Sequence, residues 1–402
     1  MKLLHTSDWH LGRTLYSKKE RQEELSAFLE WLLKTIKENS IELLIVAGDI
    51  FDTVSPSNIS QKLYYDFLLK VRNSGCQNVI IIAGNHDSPS FLNAPKDILA
   101  AINVCVVGNI SENIENELIV IKNNENYPTA IVCAVPFLRE RDISRFVEGE
   151  TYSDRSKRIE DSIRKHYAKM AELANNKRNL IAKNIPIIAT GHLSVAGGKT
   201  TEDDGVREIY VGTIECINND IFSSVFDYVA LGHYHIPTII NKNVRYCGSP
   251  IPMGFGEADQ KKSVYIVDFN ENIPEIITIP IPIFQKLESI RGDKQFITNS
   301  LEKLKKNNIS VWAEIIYDGT EVFPDFSTYI NELTFNTKIE IIKQQNKQYL
   351  NEVLSQTNNI QSLDEIDKFE VFEKLLEKNN ISNDQIEELK NSYFEIIGEI
   401  TQ

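Results

Sequence analysis

Short apolar runs alternate with helical periodicity along the first ninety residues. Residues 2–5 read as a strand, and Leu25, Phe28, Leu29, Leu32, Leu33 and Ile36 then follow the i, i+3, i+4, i+7 spacing of an amphipathic helix. Residues 43–47 read as a strand, 57–73 as a helix and 79–83 as a third strand. This β-α-β-α-β order predicts a mostly parallel or mixed sheet with helices on its faces. A charged, helix-favouring stretch over 139–183 interrupts the strands. They resume at 185–190 and 228–231, and 244–281 reads as a run of antiparallel strands.

A second unit begins after Pro282. Residues 287–290, 311–317 and 338–343 read as strands, with helical patterns at 297–306 and 326–333 between them. The polar stretch 344–361 fits either a helix extension or a linker. Two helix starts follow with capping-box spacing, Ser362-x-x-Glu365 and Ser382-x-x-Gln385. After the second, Ile386, Leu389, Tyr393, Ile396 and Ile400 recur at 3-4-3-4 spacing. That stripe either packs on its own domain or docks a partner helix or coiled coil. Its terminal position favours docking. The expected division is 1–281, 282–345 and 346–402: a main α/β domain, a small α+β cap, and a linker with C-terminal helices.

Composition then narrows the class. The net charge of −14 argues against broad polyanion binding, yet residues 358–402, with 11 acidic and 4 basic side chains, supply half of it. A local basic patch elsewhere is therefore still compatible with nucleic acid. No apolar run reaches 18 residues, and the polar start does not read as a signal peptide. Five cysteines, Cys76, Cys105, Cys133, Cys216 and Cys247, show no metal-ligand pairing. They read as buried reduced thiols of a cytoplasmic protein with no membrane association.

The chemistry is concentrated in five islands: Asp8-Trp9-His10, Gly48-Asp49, Gly84-Asn85-His86-Asp87, Gly191-His192 and Gly232-His233-Tyr234-His235. They hold five of the seven histidines, and each follows an apolar strand. Ligands at the carboxyl ends of successive strands converge on one sheet edge. Asp49 is the natural bridging carboxylate for two ions, and Asp8 and His10, at i and i+2, can reach one ion from the same side. His233 and His235 repeat that spacing, Asn85 offers a neutral carbonyl oxygen, and His192 adds an imidazole. Imidazole mixed with carboxylate suits Mn, Fe, Co or Zn better than Mg or Ca. His86, next to a ligand, is placed to face substrate and act on a leaving oxygen. His5, inside a strand, reads as a packing or supporting residue, and His166 as solvated. Asp52 and Asp87 either orient ligands or cap turns.

These islands resemble the calcineurin-like metallophosphoesterase superfamily. The segments from His5 to Gly12, Ala47 to Asp52, Ile82 to Ser88, Gly191 to Gly198, Ala230 to His235 and Arg245 to Pro252 resemble, more narrowly, the SbcD family of exonuclease subunits. The resemblance implies a metallophosphoesterase β-sandwich flanked by helices. It also implies a manganese-dependent DNA nuclease working with a coiled-coil ATPase of the SbcC type, in DNA repair and recombination. One ion would take Asp8, His10, Asp49 and His235; the other would take Asp49, Asn85, His192 and His233, with His86 assisting the phosphoryl step. Asp52 stands where archaeal and eukaryotic relatives usually carry histidine. The cap would contact DNA, the C-terminal helices would bind the ATPase, and a homodimer within a heterotetramer, formed through the 57–73 helix, would be expected. Arg13, Lys18, Lys19, Arg21 and Lys199 are candidates for phosphate contacts, with plain solvated surface charge the alternative for each. The rival readings are a phosphoesterase for nucleotides or phosphoproteins, and an inactive partner that only organises an ATPase on DNA.

Overall fold

The computed structural model describes residues 1–402 other than 146, 148, 183, 200–215, 270–273, 322, 324 and 348–402. The expected C-terminal helices beginning at Ser362 and Ser382, with their docking role, lie outside the described residues.

Two six-stranded sheets pack face to face. The first runs in the order Glu275–Pro280, Ser263–Asp268, Lys2–Thr6, Leu43–Ala47, Asn78–Ile82, Val104–Val107. Its last four strands are parallel, joined by the helices Gln22–Glu38 and Asn58–Asn73, as the alternating pattern predicts. The second runs Thr238–Ile239, Val244–Tyr246, Tyr228–Gly232, Ile187–His192, Pro128–Cys133, Leu118–Lys122. Leu3, Leu43, Ile45, Ile80 and Ile82 meet Val132, Ile188, Tyr228 and Ala230 between the sheets. Each sheet's outer face is covered by helices, so the order of layers is α-β-β-α. Leu25, Phe28, Leu32 and Phe67 cover the first sheet; Ile159, Ile163, Tyr167 and Met170 of the 30-residue helix Tyr152–Ile181 cover the second.

Two differences from the sequence reading stand out. Residues 244–281 do not form one antiparallel run: Val244–Tyr246 lies parallel to Tyr228–Gly232, and the chain then crosses to the other sheet. There Ser263–Asp268 and Glu275–Pro280 add antiparallel strands beside Lys2–Thr6. The strands Val104–Val107, Leu118–Lys122 and Pro128–Cys133, at or near sheet edges, are absent from the sequence reading. All five cysteines are free; Cys216 is exposed and Cys105 only partly buried, unlike the uniform burial expected.

His5 alternates with Leu4 and Thr6 and so points between the sheets, where Nδ1 lies 2.9 Å from the Tyr228 hydroxyl. Its supporting role is to stitch the sandwich. His166 is not solvated: Nε2 pairs at 2.7 Å with Glu117, a carboxylate that is itself buried. The helix wheel turns this ring toward the second sheet, out of the water.

The cap has its own sheet of three parallel strands, Lys286–Gly292, Val311–Tyr317 and Ile339–Asn346. The last strand takes in Gln344–Asn346, where the polar sequence suggested a helix or linker. Helices Lys294–Asn307 and Phe326–Thr334 cover one face through Ile297, Leu301, Phe326 and Ile330. Leu287, Ile342 and Trp312 of the opposite face rest on Leu15, Tyr16 and Phe255 of the main domain. The seat is therefore a small hairpin, Thr14–Leu15 with Lys19–Glu20, that directly follows the first island.

Candidate metal centre

The five islands do converge. Asp8 and His10 lie on one loop and Asp49 on the next, held together by Asp8 N to Gly48 O at 3.0 Å and His10 N to Asp49 O at 3.0 Å. Trp9, between them, turns the other way into the helix layer, edge-on to Phe67 and Phe28. This alternation leaves Asp8 and His10 on the same side. Asp49 Oδ1 accepts from His86 N at 2.9 Å, and Asp8 Oδ1 accepts from His233 N at 2.9 Å. Asp87 accepts from the amides of Ile50, Phe51 and Gly84 at 3.1, 2.9 and 2.9 Å, so it ties the second island to the third. Burial and the nearby Asp49 charge push its pKa up to about 7.

The backbone is strained where the side chains gather. Asp8, His10, Asp49 and His233 have φ of 53, 46, 49 and 103°, in the left-handed region that costs a non-glycine residue about 1–3 kcal/mol. Gly48 and Gly232 show what the glycines do. Gly48 combines φ of 90° with a position where a Cβ would meet His192 Nδ1 at 2.2 Å; at Gly232 a Cβ would meet the Ala47 carbonyl at 1.9 Å. Close approach of strand ends, more than turning, is what requires them.

Around Asp49 the imidazoles are oriented from behind. His192 Nδ1 donates to the Ala47 carbonyl at 3.0 Å, and His10 Nδ1 faces Asp52 Oδ1 at 3.2 Å. Their Nε2 atoms then point inward. His10 Nε2 is 3.1 Å from His235 Nε2 and 3.6 Å from Asp49 Oδ2; His192 Nε2 is 3.2 Å from Asp49 Oδ2 and 2.9 Å from Asn85 Oδ1. His233 stands edge-on to His192, with centroids 5.4 Å apart. All of these side chains except Asn85, which is partly exposed, are buried.

Electrostatics follow from that burial. His10 is lowered to about 4 and His233 well below its ordinary value, both by burial. Burial would also depress His192, but the Asp49 and Asp8 charges hold it up to about 9. Burial would raise Asp49, but the His192 ring holds it well below the carboxylate range. Asp8 is raised by burial.

Three groups of mutually close donor atoms stand out among the described residues: Asp8, His10 and His235; His10, Asp49 and His86; Asp8, Asp49 and His192. The donor set fits divalent metal ions. With Nδ1 of His192 committed to a carbonyl, Nε2 faces the Asp49 and Asn85 oxygens, a place that a proton fills in the metal-free protein and a divalent ion would fill in its stead. His86 joins the same buried cluster, with Nδ1 2.9 Å from the Asp52 carbonyl oxygen and its ring edge-on to His10 at 4.8 Å.

Asp52 takes the orienting role: one oxygen serves His10 and also accepts from Arg13 Nη1 at 3.0 Å. Sequence reasoning missed Glu257 and Lys262, which lie behind His235, because a charged turn at 257–262 looks solvated. It also missed Arg139, which donates to the Asp87 carbonyl at 3.0 Å, lies over the Phe137 ring and has a buried Nη1 without a hydrogen-bond partner. Four candidate phosphate contacts are engaged within the protein. Arg13 pairs with Asp52, Lys18 donates to the Ile342 carbonyl, Lys19 pairs with Glu340, and Arg21 is buried against Glu24 and the Pro252 carbonyl. Lys18 and Lys199 are the exposed members of that set.

The calcineurin-like phosphoesterase family model matches residues 1–237, so the chain belongs to that family. A second family model, the type 5 capsule protein repressor C-terminal domain, matches residues 283–380. The SbcD subunit of the SbcCD nuclease from Escherichia coli (strain K12) is 34% identical over 402 residues, covering 98% of this chain and 97% of the relative. Its counterpart from Rhodobacter capsulatus is 32% identical over 70% of each chain, and that of Bacillus subtilis (strain 168) is 32% identical over 67% of this chain and 66% of its own. Within the phosphoesterases the chain belongs to the SbcD nuclease subunits, which are hydrolytic enzymes. Among the described residues no helix is long and apolar enough to cross a membrane.

Proposed function

We propose that the chain hydrolyses DNA phosphodiester bonds at two divalent cations, manganese being the expected ion, as the nuclease subunit of a complex with an SbcC-type ATPase. The observation that carries this reading is the convergence of the His10 and His192 Nε2 atoms on the Asp49 carboxylate, with His235 Nε2 3.1 Å from His10 Nε2 and grouped with Asp8. Asp8, His10, Asp49 and His235 would hold one ion, and Asp49, Asn85, His192 and His233 the other. When bound, such a pair supplies Lewis acidity toward the phosphoryl oxygens and the attacking water.

The protein's own groups do the rest. Asp52 and the Ala47 carbonyl fix two imidazoles so that each offers Nε2 without reorganisation. The His86 ring, anchored through Nδ1 on the Asp52 carbonyl, is placed to protonate the leaving sugar oxygen in its imidazolium form. Arg139, with a buried Nη1 that lacks a hydrogen-bond partner beside the third island, is a basic group suited to a backbone phosphate. Exposed Ile59 and Leu69 on the helix Asn58–Asn73 suit the expected homodimer. The ATPase would engage the C-terminal segment, whose acidity suits protein docking better than DNA.

His86→Ala tests the assignment. DNA cleavage in Mn²⁺ should fall by about 100-fold or more while two ions per chain are retained. Full cleavage by this variant would remove His86 from the reaction. Cleavage of nucleotides or p-nitrophenyl phosphodiesters without any DNA cleavage would favour the small-substrate phosphoesterase.

A further inference from the structure

Behind His235 lies an ion pair that the reaction scheme does not use. Glu257 is fully buried and Lys262 is 5% exposed. The Lys262 ammonium donates to Glu257 Oε2, to the His235 carbonyl at 2.9 Å and to Ser249 Oγ at 3.1 Å. Glu257 Oε2 also accepts from Met253 N at 3.0 Å. Its other oxygen, Oε1, is buried without a hydrogen-bond partner and lies 3.6 Å from His235 Nδ1. One pair thus grips His235 twice, through its backbone and through its ring.

Stability does not account for this pair. Two buried charges cost more to desolvate than their attraction returns, and apolar residues of the same volume usually serve a core as well or better. What an apolar pair cannot do is present a carboxylate oxygen to Nδ1–H. His10 has Asp52 in that position and His192 has the Ala47 carbonyl. Glu257 supplies the third member of the same arrangement. With Nδ1–H directed at Oε1, His235 Nε2 is left as the lone pair that faces His10 Nε2 at 3.1 Å.

The same short turn, Phe255–Glu257, also reaches the cap. Phe255 stacks on Tyr16 at 5.6 Å and packs with Leu15, Leu287 and Ile342, the last two being cap residues. Two positions apart, one side chain touches the cap seat and the other a proposed metal ligand. We propose that Glu257, held by Lys262, is the positioning residue of His235, and that its turn links this ligand to the seating of the cap.

This inference rests on the two-metal reading, and one experiment separates their failures. Mn²⁺ is titrated into metal-free protein, with free ion followed by electron paramagnetic resonance, for the wild type, Glu257→Ala, Glu257→Gln, Phe255→Ala and the double variant Glu257→Leu with Lys262→Met. The wild type should bind two ions. Glu257→Ala should weaken one of them about 10- to 100-fold and leave the other unchanged, with a smaller loss for Glu257→Gln. The double variant removes both charges together, so it stays folded if Glu257→Ala does not, and it should show the same loss. Phe255→Ala should weaken that same ion by a smaller factor. A long-range ¹H–¹⁵N spectrum of the metal-free protein should show His235 as the Nδ1–H tautomer in the wild type and as a mixture in the double variant. Wild-type affinity for both ions in the double variant, or an unchanged tautomer there, would overturn the role of Glu257. An unaltered ion in Phe255→Ala would overturn the link to the cap. A wild type that binds no Mn²⁺ would instead refute the two-metal reading.

Discussion

Replacing Lys18 and Lys19 together by alanine separates two accounts of the basic segment after the first island. If these lysines bind DNA phosphates, their loss lowers affinity and flattens its salt dependence. If they seat the cap, it loosens the cap and leaves that dependence alone. The structure supports the second account. Lys18 Nζ donates at 2.8 Å to the Ile342 carbonyl, a charge-assisted bond in a partly buried place, worth about 1.5–3 kcal/mol. Lys19 pairs with Glu340 at 2.7 Å, but the two side chains are 33% and 50% exposed, so solvent screening leaves about 0–1 kcal/mol. Its ammonium also lies 5.9 Å from the centre of the Trp312 ring, worth about 0.5–1 kcal/mol at an exposed site.

Because the two lysines share one hairpin these contributions do not simply add, and roughly 3 kcal/mol is a fair total. That corresponds to an increase of roughly 100-fold in the population with the cap lifted. The assay has two arms. Hydrogen exchange of the hairpin amides from Arg13 to Arg21 should accelerate as its cover is lost. DNA binding measured across salt concentrations should keep its slope of log affinity against log salt. A slope reduced by about one to two, with hairpin exchange unchanged, would show the lysines to be phosphate ligands and refute the reasoning.

Two further outcomes follow from the interior. His5 stays neutral in the folded protein, its pKa lowered by burial to about 3 against an ordinary 6.5. Below pH 6.5 only the unfolded chain gains this proton, so stability present above that pH is lost as pH falls toward 3, by up to about 1.4 kcal/mol per pH unit. His5→Gln should therefore be less acid-sensitive than the wild type by about that slope in urea unfolding at pH 6, 5 and 4; parallel curves would dismiss His5 as a source. Gly232→Ala forces a Cβ to within 1.9 Å of the Ala47 carbonyl and 2.9 Å of His192 Nδ1, and should cost about 3 kcal/mol in denaturation. A wild-type midpoint would mean the strand ends separate more freely than their packing implies.

The islands were legible because their signal is local. An apolar run that ends in Asp, Asn or His, in four of the five islands directly after a glycine, declares both the strand and the ligand it releases, and five such endings leave little freedom in how the strands share a sheet edge. Asp52 was half legible: its place beside the site was visible, but not that it faces His10 and Arg13 rather than capping a turn. Glu257, Lys262 and Arg139 were not legible, since a charged residue in a turn carries no mark of burial until a distant strand closes over it. The lysines of the hairpin failed for the same reason, because the carbonyl that binds Lys18 lies 324 residues further along the chain. His166 failed more simply, its partner Glu117 being 49 residues away on a segment with little pattern of its own. What local pattern cannot supply is the set of groups that hold the ligands from behind. Asp52 and the Ala47 carbonyl sit in or beside the second island, but Glu257 and Lys262 come from the crossing between the two sheets, next to the cap seat, which no periodicity encodes. Changes in metal affinity should therefore arise from residues such as Glu257 that no sequence motif marks, and the cap seat is where they should be sought first.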